Sequence, residues 1–204
     1  VTFSTATCCS AELSGAYRVV GVRSIAVVSG TPDADPAAAP PVLVSACLLG
    51  ERCTYDGRDN ADDALVHALE GRTVVAVCPE RDGGLPTPRP RCEVEGGDGA
   101  AVLAGEARVV DDAGVDRSDA YVRGAHDAVA AARAAGATVA VLAPRSPSCG
   151  CAGIYDGTHT RTFRNDGTGV AAAALAAAGV RCVAADDAAA VAEALTSGRC
   201  APGS

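Results

Sequence analysis

The chain has 204 residues, a size that suits one domain with room for an appendage. Apolar residues at 49% against 21% charged predict a folded core, and with aromatics at 3% and neither Trp nor Met that core is built from Val, Leu and Ala. A net charge of −8 lacks the basic footprint of a nucleic-acid binder, and no apolar run reaches the roughly 20 residues that cross a bilayer, so neither DNA nor a membrane is an expected partner.

Residues 1–40 read as an N-terminal extension and linker, disordered or poorly ordered. They mix Thr, Ser, Ala and Gly without periodicity and end in TPDADPAAAPP. The chain opens on Val rather than Met, as expected of a clipped chain or a start placed too far upstream. Residues 19–28 could form an edge strand interrupted at Arg23, there is no signal-peptide layout, and Cys8 and Cys9 are not expected to function. From residue 42 the pattern becomes regular, giving a domain over 41–197 and a tail over 198–204. VLVSA at 42–46 predicts a buried parallel strand, and 60–70 a helix with Asp62 near its start and Gly71 closing it. TVVAV at 73–77 is a second buried strand, followed by a Gly/Pro-rich loop over 81–90. Residues 93–110 suggest a hairpin around GGDG, and 116–135 a long Ala-rich helix capped by Asp116 or Ser118. Strands at 138–142 and 180–184 alternate with helices at 169–178 and 187–195. The expected fold is α/β: a three-layer open sheet, mostly parallel and Rossmann-like, with a small β-hairpin insertion.

Ten cysteines are too few for a disulfide scaffold in a chain with ample core material, so metal or redox chemistry is their expected use. Cys47 follows the first strand, Cys78 the second, and Cys149 lies in PRSPSCG after the third. In an open parallel sheet the loops at the carboxyl ends of the strands share one edge, where ligands bind. Three thiolates converging there suit a soft metal or an iron–sulfur cluster, and three rather than four leave a position open to substrate. Glu80 lies two residues from Cys78, in PERDGGLPTPRPR. Ser146 and Ser148 offer hydroxyls beside Cys149, and successive N–H groups there could form an anion nest. Cys53, Cys92 and Cys151 could each be a fourth ligand, a reactive thiol or a packed side chain, whereas Cys182 and Cys200 read as structural. Arg89 and Arg145 could receive an anionic or carbonyl-rich substrate or pair with carboxylates. Tyr155, Asp156 and His159 could line a pocket or form a solvated turn, Asp56 could hold an arginine or cap a turn, and His67 and His126 read as helix-surface or core residues. Two other classes fit the same cysteines. One is a zinc-stabilised binding module with Cys53 or Cys151 as fourth ligand, the other a persulfide or redox protein using Cys149 and Cys151.

The motifs SACLLG at 45–50, YDG at 55–57, CPE with GGLPTPR at 78–89, RSPSCG at 145–150 and GIYDGT at 153–158 resemble the bacterial 2-thiouracil desulfidase family of iron–sulfur enzymes, long catalogued as a domain of unknown function. The resemblance spans roughly 42–183. It implies a 4Fe–4S cluster held by Cys47, Cys78 and Cys149, with one iron not bound by protein and available to substrate sulfur. It implies Glu80 and Ser146 as catalytic residues, Glu80 as general base and then proton donor; beside them Arg89, Arg145 and Tyr155 are the residues read above as substrate-binding candidates. The implied activity is non-redox, hydrolytic C–S cleavage of a thionucleobase such as 2-thiouracil, releasing sulfide and the carbonyl product. A cytoplasmic enzyme loaded by iron–sulfur assembly machinery follows. Two residues depart from the pattern: Thr54 stands where Arg usually precedes YDG, and Cys151 replaces a small residue after SCG.

Overall fold

A computed structural model describes residues 19–21, 24–26 and 39–197. Its first elements are strands β1 (Val19–Gly21), β2 (Ser24–Ala26) and β3 (Val42–Ser45), a 3-10 turn at Ala46–Leu49, helix α1 (Asp63–Ala68) and strand β4 (Val74–Val77). Helix α2 (Pro79–Asp82), strand β5 (Cys92–Glu95), helix α3 (Gly99–Ala104), strand β6 (Arg108–Asp111) and helix α4 (Ser118–Ala135) follow. The chain continues through β7 (Val139–Leu142), β8 (Ile154–Tyr155), β9 (Phe163–Arg164), α5 (Val170–Ala177), β10 (Arg181–Ala184) and α6 (Ala188–Ser197). Among the described residues no helix is long and apolar enough to cross a membrane.

The central sheet runs β10-β7-β3-β4-β1-β2. Its four strands β10, β7, β3 and β4 are parallel, and β1 and β2 extend the β4 side antiparallel. Every residue of β3, β4 and β7 is buried, as continuous apolar runs require when both faces of a sheet are covered. The chain steps from β3 to β4 in one direction and from β4 back past β3 to β7 and on to β10 in the other. Right-handed crossovers therefore place α1 on one face and α4 with α5 on the other. Asp62 caps α1 by accepting the Leu65 N–H at 2.9 Å, and Leu65 and Leu69 bury its apolar side. Helix α4 buries Ala120, Tyr121, Ala125, Ala128, Ala131 and Ala132, a helical stripe of mostly small residues that lets it lie close, and it ends at Gly136 in the left-handed region.

Reversal of direction at β3 and β7 makes a switch point, where the loops leaving the two strands part toward opposite faces and open a crevice. Ser45 Oγ ties its two walls by accepting the Ala143 N–H at 3.0 Å.

The local readings need three corrections. GGDG is no tight turn: Asp98 accepts the N–H groups of Ala100 and Ala101 and starts α3, so β5 and β6 form an antiparallel pair with a helix in the connection. The stretch after Cys78 is helical at its start, with Pro79 at the first position where its missing N–H costs nothing. Residues 154–164 form a small hairpin, β8–β9, which no alternation in the sequence announced. Of the expected extension at 1–40, β1 and β2 lie on the sheet edge; the rest of it up to residue 38, with Cys8 and Cys9, and the tail at 198–204 with Cys200, lie outside the described residues.

Candidate active site

Cys47, Cys78 and Cys149 reach one cavity of about 400 Å³ at this switch point, lined also by Glu80, Ser146, Arg89, Arg145 and Tyr155. Each thiol owes its place to a strand end. Cys47 sits in the 3-10 turn after β3, Cys78 is the residue between β4 and α2, and Cys149 lies in the loop after β7. All three are buried. Cys78 Sγ donates to the Cys53 carbonyl at 3.7 Å, and Asn60 Nδ2 donates to Cys47 Sγ at 3.8 Å.

The carboxylate is held from two sides. Glu80 Oε2 accepts from Arg89 Nε at 2.8 Å and lies 2.7 Å from Nη2 in the same ion pair, and both side chains are nearly enclosed, at 13% and 4% exposure. Its Oε1 accepts from Ser146 Oγ at 3.2 Å. Ser146 Oγ in turn accepts the N–H groups of Ser148 at 3.0 Å and Cys149 at 3.1 Å. A hydroxyl has two acceptor lone pairs and one proton, so the two amides fix that proton on Glu80. The anion nest expected at 145–150 is thereby closed: these amides serve Ser146, and the Gly150 N–H bonds the Ser146 carbonyl.

The remaining arginine arms are placed differently from one another. Arg89 Nη1 donates to the Pro86 carbonyl and Thr87 Oγ1, and Nη2 also reaches the Cys53 carbonyl at 2.9 Å, so its donors are spent on protein. Arg145 is half exposed, with φ 62°, and leans outward to Asp186 at 3.9 Å. Asp56 both holds Arg58, at 2.5 Å, and accepts the Arg58 N–H, while Thr54 Oγ1 lies 2.7 Å from its carboxylate. Those bonds hold the Asp56 carboxyl down at about 2, Thr54 contributing most. His67 and His126 are on the helix surface, as read from the sequence.

Further thiols share the cavity. Cys53 lies within hydrogen-bonding reach of both Cys47 and Cys78, and the contact with Cys47 leads in pushing its thiol up to about 12. Its own contact with Cys53, then burial, raises Cys78. Burial pushes Cys149 up to about 12, against an opposing hydrogen bond from Ser45. Cys92 reaches the cavity wall beside Tyr121. Cys151 turns away from Cys149 and lines a separate cavity with Cys182, Thr168 and Ala172.

A family model described as 2-thiouracil desulfurase matches residues 42–187. The chain belongs to the 2-thiouracil desulfurase family. It is 39% identical over 142 residues to the uncharacterized protein YbbK of Bacillus subtilis (strain 168), covering 70% of this chain and 93% of the relative. A solved structure of the [4Fe-4S]-dependent thiouracil desulfidase TudS superposes with a TM-score of 0.66 at 37% identity, over 77% of this chain and 98% of that one.

The donor set of this desulfurase-family chain fits an iron–sulfur cluster. Burial leads in raising Cys149 and contributes to raising Cys78, and a cationic iron core offsets the penalty of burying such groups as thiolates. Among the described residues no group of three or more His, Cys, Asp or Glu could hold a single metal ion, the arrangement a closed zinc site needs. Cluster ligands each take a different iron and need not share one coordination sphere. Sequence reasoning missed Ser45, Asn60 and Arg91 on the cavity wall. Ser45 and Asn60 stand within motif-rich stretches, but their contacts with sulfur depend on loop geometry that no spacing encodes.

Proposed function

We propose that this chain is an iron–sulfur-dependent desulfidase that converts a thionated pyrimidine, such as 2-thiouracil, and water into the carbonyl base and hydrogen sulfide. The observation that carries this reading is one cavity holding Cys47, Cys78 and Cys149 together with the Arg89–Glu80–Ser146 chain. The cofactor dependence and substrate named for TudS support it. Cys47, Cys78 and Cys149 would hold a 4Fe–4S cluster with one iron lacking a protein ligand. When bound, such a cluster supplies a Lewis-acidic iron to a thione sulfur.

This chain's residues do the proton work. Glu80, paired with Arg89, retains acceptor capacity beyond its bonds to Arg89 and Ser146. It takes a proton from the water that attacks the ring carbon and returns it as sulfur departs. Ser146 and Arg89 together fix the carboxylate's orientation. The thione and one water become the carbonyl and one hydrogen sulfide, so no electrons change hands and the cleavage is hydrolytic. Tyr155 and Arg145 line the cavity as further substrate contacts. A cytoplasmic setting and loading by iron–sulfur assembly machinery complete the reading.

Anaerobic reconstitution tests it. The protein should turn brown, carry iron and acid-labile sulfide, and release sulfide from 2-thiouracil with equimolar uracil. Cys47→Ser, Cys78→Ser and Cys149→Ser should each lose the cluster. A colourless zinc protein, or sulfide release without a cluster, overturns the reading.

A further inference from the structure

Arg89 and Arg91 leave the same extended stretch and both line the cavity, yet their states are opposite. Arg89 spends its donors on Glu80, Cys53, Pro86 and Thr87. Arg91 donates from Nη2 to the His159 carbonyl at 3.3 Å, while its Nε is buried with no hydrogen-bond partner. Among the described residues no carboxylate pairs with Arg91, whereas Asp56 is matched by Arg58 and Glu80 by Arg89. The side chain is nonetheless anchored. Glu93, two residues on, accepts the His159 N–H at 3.0 Å, so Arg91 and Glu93 grip the two ends of one residue whose φ is 60°. Gly157 holds that loop against β5, for a Cβ there would come within 2.3 Å of the Val94 carbonyl. Nε is sealed off, but Nη1 makes no hydrogen bond among the described residues and is not sealed off with it, so on the cavity wall it is the arm placed to meet a ligand acceptor.

We infer that Arg91 is a specificity-determining residue that reads a carbonyl oxygen on the substrate ring, donating to it while the ring's sulfur is turned toward Cys47, Cys78 and Cys149. The inference rests on the desulfidase reading and names what that site selects: a thionated heterocycle bearing a second, oxygen acceptor. A planar guanidinium offers several fixed donors to such an oxygen, which an ammonium cannot match.

Reconstituted Arg91→Ala and Arg91→Lys variants are compared with the parent on 2-thiouracil, which carries the ring carbonyl, and on pyrimidine-2-thione, which lacks it. Arg91→Ala should raise KM for 2-thiouracil by about 10- to 100-fold, the worth of a charge-assisted hydrogen bond, with kcat changed far less. The penalty on pyrimidine-2-thione should stay below about threefold, and Arg91→Lys should fall between. Iron and acid-labile sulfide contents equal to the parent's exclude a lost cluster as the cause. Equal penalties on the two thiones, or an unchanged KM for 2-thiouracil, overturn the assignment. Equilibrium dialysis with uracil and pyrimidin-2-one reads the same contact without turnover: Arg91→Ala should weaken uracil binding by about the same factor and leave pyrimidin-2-one alone. Absence of sulfide release by the parent defeats the desulfidase reading, and dialysis then decides Arg91 by itself. No uracil binding by the parent, or equal binding by parent and variant, overturns it.

Discussion

Glu80 and Arg89 are nearly enclosed and opposite in charge, so each is the other's counter-ion. Glu80→Gln keeps the shape and the neighbours but removes the base; turnover should fall by about 100-fold or more while iron and sulfide contents stay at parental levels. Unchanged turnover would remove Glu80 from the chemistry. Arg89→Ala acts on stability instead, leaving a buried carboxylate without its cation. About 3 kcal/mol should be lost in urea unfolding, and much less in the Glu80→Gln, Arg89→Ala double variant, because the orphaned charge is gone. Additive losses would show that the two side chains do not depend on each other. The sequence made the cysteines readable because a thiol just after a buried strand is placed by the strand itself. Arginines offer no such guide. Arg89 reads as a substrate contact beside Arg145, yet its partners come from loops around residues 53 and 86, and Arg91, just past the GGLPTPR motif, carries no signal in the linear pattern that it lines the cavity. The spacing of Cys149 and Cys151 suggests company, but the bend between them sends Cys151 to a different cavity.

At the scale of elements, the short helix α2 decides where Glu80 points, and two glycines decide where α2 lies. A Cβ on Gly124 of α4 would fall 1.7 Å from the Pro79 carbonyl, and one on Gly83, just past α2, would fall 2.0 Å from the Ala120 carbonyl. Both obstacles are backbone, so relief requires the helices to part. Gly124→Ala should therefore cost about 1–3 kcal/mol in thermal or urea unfolding despite the better helix propensity of Ala, and should lower both cluster retention and turnover. A variant as stable and active as the parent would show that α2 can move without consequence. The four parallel strands were legible for the same reason that α2 was not. Runs of Val and Leu buried on both faces announce themselves within four or five residues, while a one-turn helix among Pro and Gly is stabilised by its seat on α4 rather than by its own pattern. The same holds for β8–β9, whose two-residue strands are too short for any alternation to show.

For the whole molecule, the decisive compositional fact at high pH is that the sequence contains no Lys, so its Lys+Arg total of 17 is all arginine. Between pH 9 and 11 its side-chain titration thus belongs to Cys and Tyr. Burial leads in raising Cys92 from 9.0 to about 11 and Cys182 from 9.0 to about 12, and burial holds the Tyr121 hydroxyl well above its ordinary value. All three shifts have one sign. The folded chain keeps protons that the unfolded chain releases, so in this window the native state binds more protons and stability must fall as pH rises. The contribution is fully present below the unfolded thiol pKa and lost progressively up to about 11 for Cys92 and about 12 for Cys182. Linkage caps the slope at about 1.4 kcal/mol per pH unit for each such group. In cluster-free protein kept reduced, the urea midpoint should be level from pH 7 to 8 and then decline through pH 9.5 and 10.5. Cys182→Ala, remote from the proposed cluster ligands, should flatten the decline without abolishing it, because Cys92 and Tyr121 remain. A midpoint that stays level to pH 10.5, or a decline that Cys182→Ala leaves untouched, would mean that solvent reaches these groups and that the interior is more open than their burial indicates.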